Sequence, residues 1–227
     1  MKVGLYSAIY GSSDWVKPIR DIGVPCVMYT DNPNLEAPGW EVRVVPHSIA
    51  TLYGEPRITA PMLAHKYWKC NPDIAMPGYD VSLWIDGSME LVIDSYVDHC
   101  LNALGDDDWA CVPHPERSCI YPEADLSATL TWRYDAPSIQ AQARYYREVI
   151  GHPTNYGLVA SGANARRHTS DVIQLGRDWW WECITRSHQD QISLPVLFRL
   201  FEGKVRWNMN LPWHRTWILH GHSPTRP

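Results

Sequence analysis

The sequence predicts an α/β protein, built on a sheet that is at least partly parallel and flanked by helices. Three observations carry this. Short apolar runs alternate with turns through the first half of the chain. Helical spacings dominate the second half, and the strand-like runs connect through helical segments, as parallel pairing requires. Nothing among the 227 residues reads as a linker. The expectation is one domain over 1–227, with a ligand-binding half over about 1–113 and a second half over about 114–227.

The elements follow in order. Lys2 to Ile9 reads as a strand closed by the loop Gly11-Ser12-Ser13-Asp14. Pro25 to Thr30 is a second strand, ending at the turn signature Asp31-Asn32-Pro33. Glu41 to Val45 follows Pro38-Gly39-Trp40 as a third. Ile58 to Tyr67 reads as a helix, with Met62, Leu63, Lys66 and Tyr67 at helical spacings and Pro61 in its first turn. A Pro/Gly loop over Asn71 to Tyr79 leads into the strand Val81 to Ile85. Trp109 to Val112 is another strand, running out into the loop "PHPERSCIYPEA".

Beyond it, Ser138 to Ile150 reads as a helix with a cap-type Ser at its start and Gly151 and Pro153 past its end. "GLVASGANARRH" is expected to be a short strand plus loop, with Arg166-Arg167-His168 in solvent. Asp171 to Thr185 carries Val172, Leu175 and Trp179 on one stripe. "SHQDQISLPVLFRLF" forms a further helix before a tail rich in Trp, His and Pro, read as surface.

Composition narrows the function. A formal charge of −5 argues against a general nucleic-acid surface. Trp and Tyr number 12 each against two Phe, a balance that suits carbohydrate stacking and equally suits core packing. The start "MKVGLYSAIYG" has no apolar h-region, and no run reaches membrane-spanning length, so a cytoplasmic protein is expected. The six cysteines form no CxxC pair and are expected to be reduced and largely buried, without a zinc site.

In parallel α/β sheets, ligands gather at the carboxyl ends of the strands. Those ends carry Tyr10-Gly11, Asp31-Asn32, Asp86-Gly87-Ser88 and His114-Pro115. Asp86 follows the apolar run Val81 to Ile85, and an unpaired carboxylate is costly to bury. It either caps its own turn through Gly87 or, with Ser88, offers oxygens to Mg²⁺ or Mn²⁺. Glu90, four residues on, has no fixed direction. Arg117 can hold a diphosphate or acidic sugar through its planar fork, or pair with Glu116 or Glu123. No Walker loop and no GxGxxG is present.

The motifs "YSAIYG", "YTDNP", the helix with "HK", "SLWIDGSMEL", "HPERSCIYPEAD" and "SHQDQISLP" occur in that order. Together they resemble a family of GT-A-type glycosyltransferases of plant Golgi cell-wall synthesis and bacterial surface-polysaccharide loci. The likeness spans about Val3 to Phe201. It implies a GT-A-like fold, with a mostly parallel, Rossmann-like nucleotide-binding sheet, and sugar transfer from a nucleotide diphosphate sugar, UDP-linked by preference, to a glycan or other hydroxyl acceptor. If that fold holds, Tyr6, Ala8, Tyr10, Asp31, Arg57, Lys66, Asp86, Gly87 and Ser88 are the candidates for the donor site, with strand packing for the tyrosines, a turn for Asp31 and an exposed helix face for Lys66 as the alternatives. His114, Arg117, Glu123 and Gln191 would serve the sugar or acceptor. The Asp-x-Asp metal motif of the superfamily is reduced here to Asp86-Gly87-Ser88, so Mn²⁺ or Mg²⁺ would need a further ligand such as His214 or His220, or water. Asp190-Gln191 is similar to a pair in retaining transferases, where the carboxylate stabilises positive charge or takes the acceptor proton. Asp190 can also close a capping box with Ser187, but Pro195 would then fall deep inside the helix, which favours the functional reading. Asp86→Asn and Asp190→Asn are each expected to abolish transfer and spare the fold. A sugar nucleotidyltransferase and a non-catalytic carbohydrate-binding protein are the rival readings.

Overall fold

The computed structural model describes residues 1–11, 14–46, 60–211 and 217–219. The chain lays down β1 (Val3–Ile9), β2 (Cys26–Thr30) and β3 (Glu41–Val44), then α1 (Ala60–Cys70) and the single turn α2 (Pro72–Ala75). β4 (Val81–Ile85) and β5 (Met89–Leu91) follow, then α3 (Tyr96–Leu104), β6 (Trp109–Pro113), α4 (Ile120–Thr129) and α5 (Ala136–Glu148). The last third holds β7 (Val159–Arg167), α6 (Ser170–Thr185), α7 (Asp190–Leu200), β8 (Trp207–Asn208) and β9 (Trp217–Leu219).

Seven strands form one sheet in the order β3-β2-β1-β4-β7-β6-β8. The first four are mutually parallel, and β8 is parallel to β6. β7 alone runs the other way, inserted antiparallel between β4 and β6. The sheet is therefore mostly parallel, and the carboxyl ends of β1, β2, β4 and β6 share an edge with the amino end of β7. β2 and β4 are buried at every position, as strands covered on both faces must be. Side-chain alternation divides the core. Leu5, Leu83, Ile85, Ala110 and Val112 face Tyr96, Val97, Cys100 and Leu104 of α3. On the other face, Tyr6, Ala8 and Trp84 meet α1, while Trp109 and Cys111 meet α6 and α7.

Several elements differ from the sequence expectation. α1 runs on to Cys70, which adds Lys69 to the helix; the start expected at Ile58 lies outside the described residues. The stretch expected as a loop after β6 contains α4, because Pro122 sits in its first turn, where a missing N–H costs nothing. Asp135, not Ser138, caps α5, its carboxylate accepting from the Ser138 N–H at 3.1 Å. α7 begins at Asp190 rather than at a Ser187 capping box, and the Ser187 hydroxyl donates instead to Gln142 at 2.6 Å.

The largest change is β7, nine residues where a short strand and loop were expected. Arg166, expected in solvent, is fully buried there. Its guanidinium donates to the Lys69 carbonyl at 2.7 Å and to the Tyr6 hydroxyl, and lies 4.9 Å from the Trp109 ring centre. The tail expected on the surface contributes β9, antiparallel to β5 beside the Asp86 turn. No described helix is long and apolar enough to cross a membrane.

Candidate active site

Asp86 stands one residue past β4, at the carboxyl edge of the sheet. Its N–H donates to the Gly162 carbonyl of β7 at 2.7 Å, which ties the turn to the neighbouring strand. Gly87 is obligatory, because a Cβ there would run into the Ile9 side chain of β1. Gly162 plays a similar part: its α-carbon leaves space that Asp86 Oδ2 occupies, 3.2 Å from where a Cβ would stand. The first Asp86 oxygen, Oδ1, accepts from Trp84 Nε1 at 2.8 Å and from the Lys69 ammonium at 3.2 Å.

Behind Asp86 lies a buried charge cluster. Asp190, at the start of α7, is 2% exposed. Its Oδ2 meets Lys66 Nζ at 2.7 Å and Lys69 Nζ at 2.8 Å. The two lysines are three residues apart on α1, one helical turn, so both reach the same carboxylate. Burial by itself would raise the Asp190 carboxyl. The Lys66 and Lys69 ammoniums outweigh it and hold the group well below the usual carboxylate range. Burial likewise pulls Lys69 down, and Asp190 and Asp86 reverse this and keep it above its ordinary value. His188 is pushed down to about 4, by burial first and then by Lys66.

Two cavities open onto these groups and share Lys66, Asp86, Ser88 and Arg133 in their walls, so they form one cleft. One part, about 260 Å³, is walled also by Ala8, His65, Trp84 and the exposed ring of Trp132. The other, about 180 Å³, reaches Ser161, Gly162, Asp190 and Gln191. A third cavity of about 310 Å³ lies at the ends of β1 and β2, between Ile9, Thr30, Asn32 and Trp15, whose ring is 63% exposed.

The structure thus brings together Ala8, Lys66, Asp86, Gly87, Ser88, Asp190 and Gln191. Other expected site residues lie elsewhere. Tyr6 and Tyr10 share Ala8's face of β1 but are shut in the core, so neither ring is open to a base. Tyr6 takes the Arg166 guanidinium, and the Tyr10 hydroxyl accepts from Trp68 Nε1 at 2.8 Å. The Asp31 carboxylate receives the Gly11 N–H at 3.1 and 3.2 Å, joining the ends of β1 and β2. His114, Arg117 and Glu123 line neither part of the cleft. Glu123 is buried and accepts from Arg117 Nε at 2.6 Å and from Gln189 Nε2 at 3.1 Å. His114 Nδ1 accepts the Arg117 N–H at 3.1 Å. Together the three form a network that reaches Gln189, the residue before Asp190. Glu90 lies on β5, away from both walls. Arg57, His214 and His220 lie outside the described residues.

Lys69, Ser161, Arg133, Trp132 and His65 are the site residues that sequence reasoning missed. "HK" marked the right face of α1, and extending its period by one turn would have found Lys69. Among the described residues no three His, Cys, Asp or Glu side chains converge as a metal cage. Asp86 and Ser88 both line the cleft, and Asp86 Oδ2 has no hydrogen-bond partner among the described residues. Hard oxygen donors of this kind fit Mg²⁺ or Mn²⁺ as a partial anchor, which phosphate oxygens would complete.

One antiparallel strand set into an otherwise parallel sheet, with an aspartate at its carboxyl edge, accords with a GT-A-type fold. The chain belongs to the TOD1/MUCI70, glycosyltransferase-like domain family, which matches over residues 74–215. Among solved structures it is similar to core-mannan synthase A of Aspergillus fumigatus in its Mn/GDP form, with a TM-score of 0.51 and 11% identity over 91% of this chain and 72% of that one. Mouse xyloside xylosyltransferase 1, in its apo form, gives a TM-score of 0.47 at 10% identity, covering 92% of this chain and 84% of that one. At such identity the likeness to core-mannan synthase A shows the fold alone. No curated protein sequence matches the chain. The sequence-based reading as a GT-A-fold glycosyltransferase therefore stands at the level of family and fold.

Proposed function

We propose that the chain transfers a sugar from a nucleotide diphosphate sugar, UDP-linked by preference, to a hydroxyl of a glycan acceptor. One observation carries this reading. Asp86 lies at the carboxyl edge of the sheet, in a cleft that also presents two cations, Lys66 and Arg133, and reaches the buried carboxylate Asp190. Cations suit the diphosphate, and the cavity at the ends of β1 and β2 suits the base, with the Trp15 ring available to stack.

Breaking the bond between sugar and diphosphate leaves positive charge at the anomeric carbon and negative charge on the leaving group. Lys66 and Arg133 receive the second. Asp190 answers the first. Because two ammoniums keep it ionised far into acid, it is a poor proton acceptor at neutral pH and acts as a fixed negative charge. Asp86 Oδ2 and Ser88 would hold Mn²⁺ or Mg²⁺. When bound, such an ion supplies charge neutralisation to the departing diphosphate. Gln191, whose amide donates to the Val159 carbonyl at 3.4 Å, closes the sugar end of the cleft.

The test incubates the purified chain with UDP-, GDP-, CDP- and dTDP-sugars, with and without Mn²⁺, and measures released nucleoside diphosphate. Release from one donor class is expected, and Asp86→Asn abolishes it while leaving the melting temperature near wild type, since Asp86 sits at the cleft edge with 37% of its side chain exposed. Pyrophosphate-dependent turnover would replace the proposal with a nucleotidyltransferase. Glycan binding without any release would replace it with a lectin-like role.

A further inference from the structure

Lys69 has the most constrained environment in the site. It leaves the last turn of α1 at 1% exposure. Its ammonium has three N–H groups and three partners: Asp190 Oδ2 at 2.8 Å, Ser161 Oγ at 3.1 Å and Asp86 Oδ1 at 3.2 Å. A lysine so saturated has no donor left for a ligand. Lys66 differs, since Asp190 is its ion-pair partner among the described residues and it lines both parts of the cleft.

The consequence falls on Asp86. Its Oδ1 is taken by Lys69 and by the Trp84 indole, whereas Oδ2 has no hydrogen-bond partner among the described residues. A divalent ion arriving alone would find one carboxylate oxygen, with a fixed positive charge 3.2 Å from the other. Mg²⁺ and Mn²⁺ take six oxygens, and like charges at this range repel strongly where water is scarce. A diphosphate reverses both terms, because it brings oxygens and negative charge together.

We infer that Lys69 is the resident cation of this site. It fixes Asp86 and Asp190 in one array and leaves Asp86 a single free oxygen, so that a divalent ion is held only together with a nucleoside diphosphate. Lys69 is thus a positioning residue that touches neither donor nor acceptor. The inference rests on the donor reading proposed above.

Electron paramagnetic resonance of free Mn²⁺ tests it without any turnover. Mn²⁺ is titrated into the full chain alone, then with UDP or GDP, against the nucleotide without protein and against Asp86→Asn. The wild type is expected to leave the Mn²⁺ signal unchanged in the absence of nucleotide and to deplete it once the nucleotide is present. Lys69→Met, which removes the charge and keeps most of the apolar stem, is expected to bind Mn²⁺ alone at least about tenfold more tightly than the wild type. Lys69→Gln, uncharged and one atom shorter but still a hydrogen-bond donor, serves if the methionine variant does not fold. Tight Mn²⁺ binding by the nucleotide-free wild type overturns the inference, as does a folded charge-free variant with unchanged affinity. If both variants fail to fold, the wild-type comparison still decides. Failure of every nucleotide to shift the melting temperature would instead sink the donor reading, while nucleotide binding beside independent Mn²⁺ binding would sink the role of Lys69 alone.

Discussion

Asp190→Asn is a variant for which the structure revises an expectation drawn from sequence. Read from the motif, the change should stop catalysis and spare the fold. In the structure, Asp190 pairs with two buried ammoniums, at 2.7 and 2.8 Å, with Lys66 and Lys69 side chains only 9% and 1% exposed. Asparagine keeps the shape and removes the charge. Lys66 and Lys69 are then left with Asp86, which meets only Lys69 and is itself partly solvated. Leaving a buried charge uncompensated costs about 3–5 kcal/mol. For a chain of this length each kcal/mol lowers the melting temperature by about 2–4 °C, so a fall of roughly 6–20 °C is expected. Urea unfolding of wild type, Asp190→Asn and the double variant Lys66→Met/Asp190→Asn measures it. The double variant should recover part of the loss, because Lys66, the ammonium left without a carboxylate partner among the described residues, is gone. A single variant within about 1 kcal/mol of wild type would show that water or relaxation already screens the cluster, and the argument for a fixed buried anion would fall.

Glu123→Ala should slow turnover by about tenfold with little change in donor KM, because it removes one of the acceptors that hold Gln189, the residue before Asp190, and leaves Arg117 with the exposed Glu116 as its carboxylate partner. Loss of the donor KM instead would place Glu123 in contact with the donor. Stability should also fall as pH drops from about 6.5 to 4. An unfolded histidine protonates near 6.5, whereas His188 stays neutral to about 4, so the unfolded state binds more protons across that window. The loss from His188 is on the order of 2–3 kcal/mol, and His152 and His168, also held at about 4 chiefly by burial, act with the same sign. Chemical denaturation at pH 7 and pH 4.5 checks it, and equal stability at both would refute it.

The strands were legible because strands buried on both faces read as near-continuous apolar runs, and β1, β2 and β4 do, with only Ser7, Thr30 and Ser82 as polar members. Asp86 was legible for the same reason, as a bare carboxylate ending such a run. Tyr6 and Tyr10 show the limit of that logic: the strand is right, but period-2 alternation does not say whether its inner face meets ligand or helix. Lys69 was hidden because a lysine on a helix normally reads as solvated, and its partner Asp190 lies far along the chain. β7 was hidden by its small residues, which resemble a loop until Asp86 and Lys69 are seen to need their space. Glu123 was misplaced because Pro122 was taken as a break, where the first turn of a helix accepts it.

That space carries a consequence for how such a site can diversify. Ser161 and Gly162 act as a spacer between α1 and the end of β4: one offers a hydroxyl to Lys69, the other no side chain at all. The separation of Asp86 and Asp190 is therefore set by main chain threaded against the direction of its neighbours, and a side chain added at Gly162 would press on Met89 and on the Asp86 carboxylate. Selection for a new sugar or acceptor has little room to act at this depth. It can act at the rim, where the rings of Trp15 and Trp132 stand in solvent and can be exchanged without disturbing the charges below.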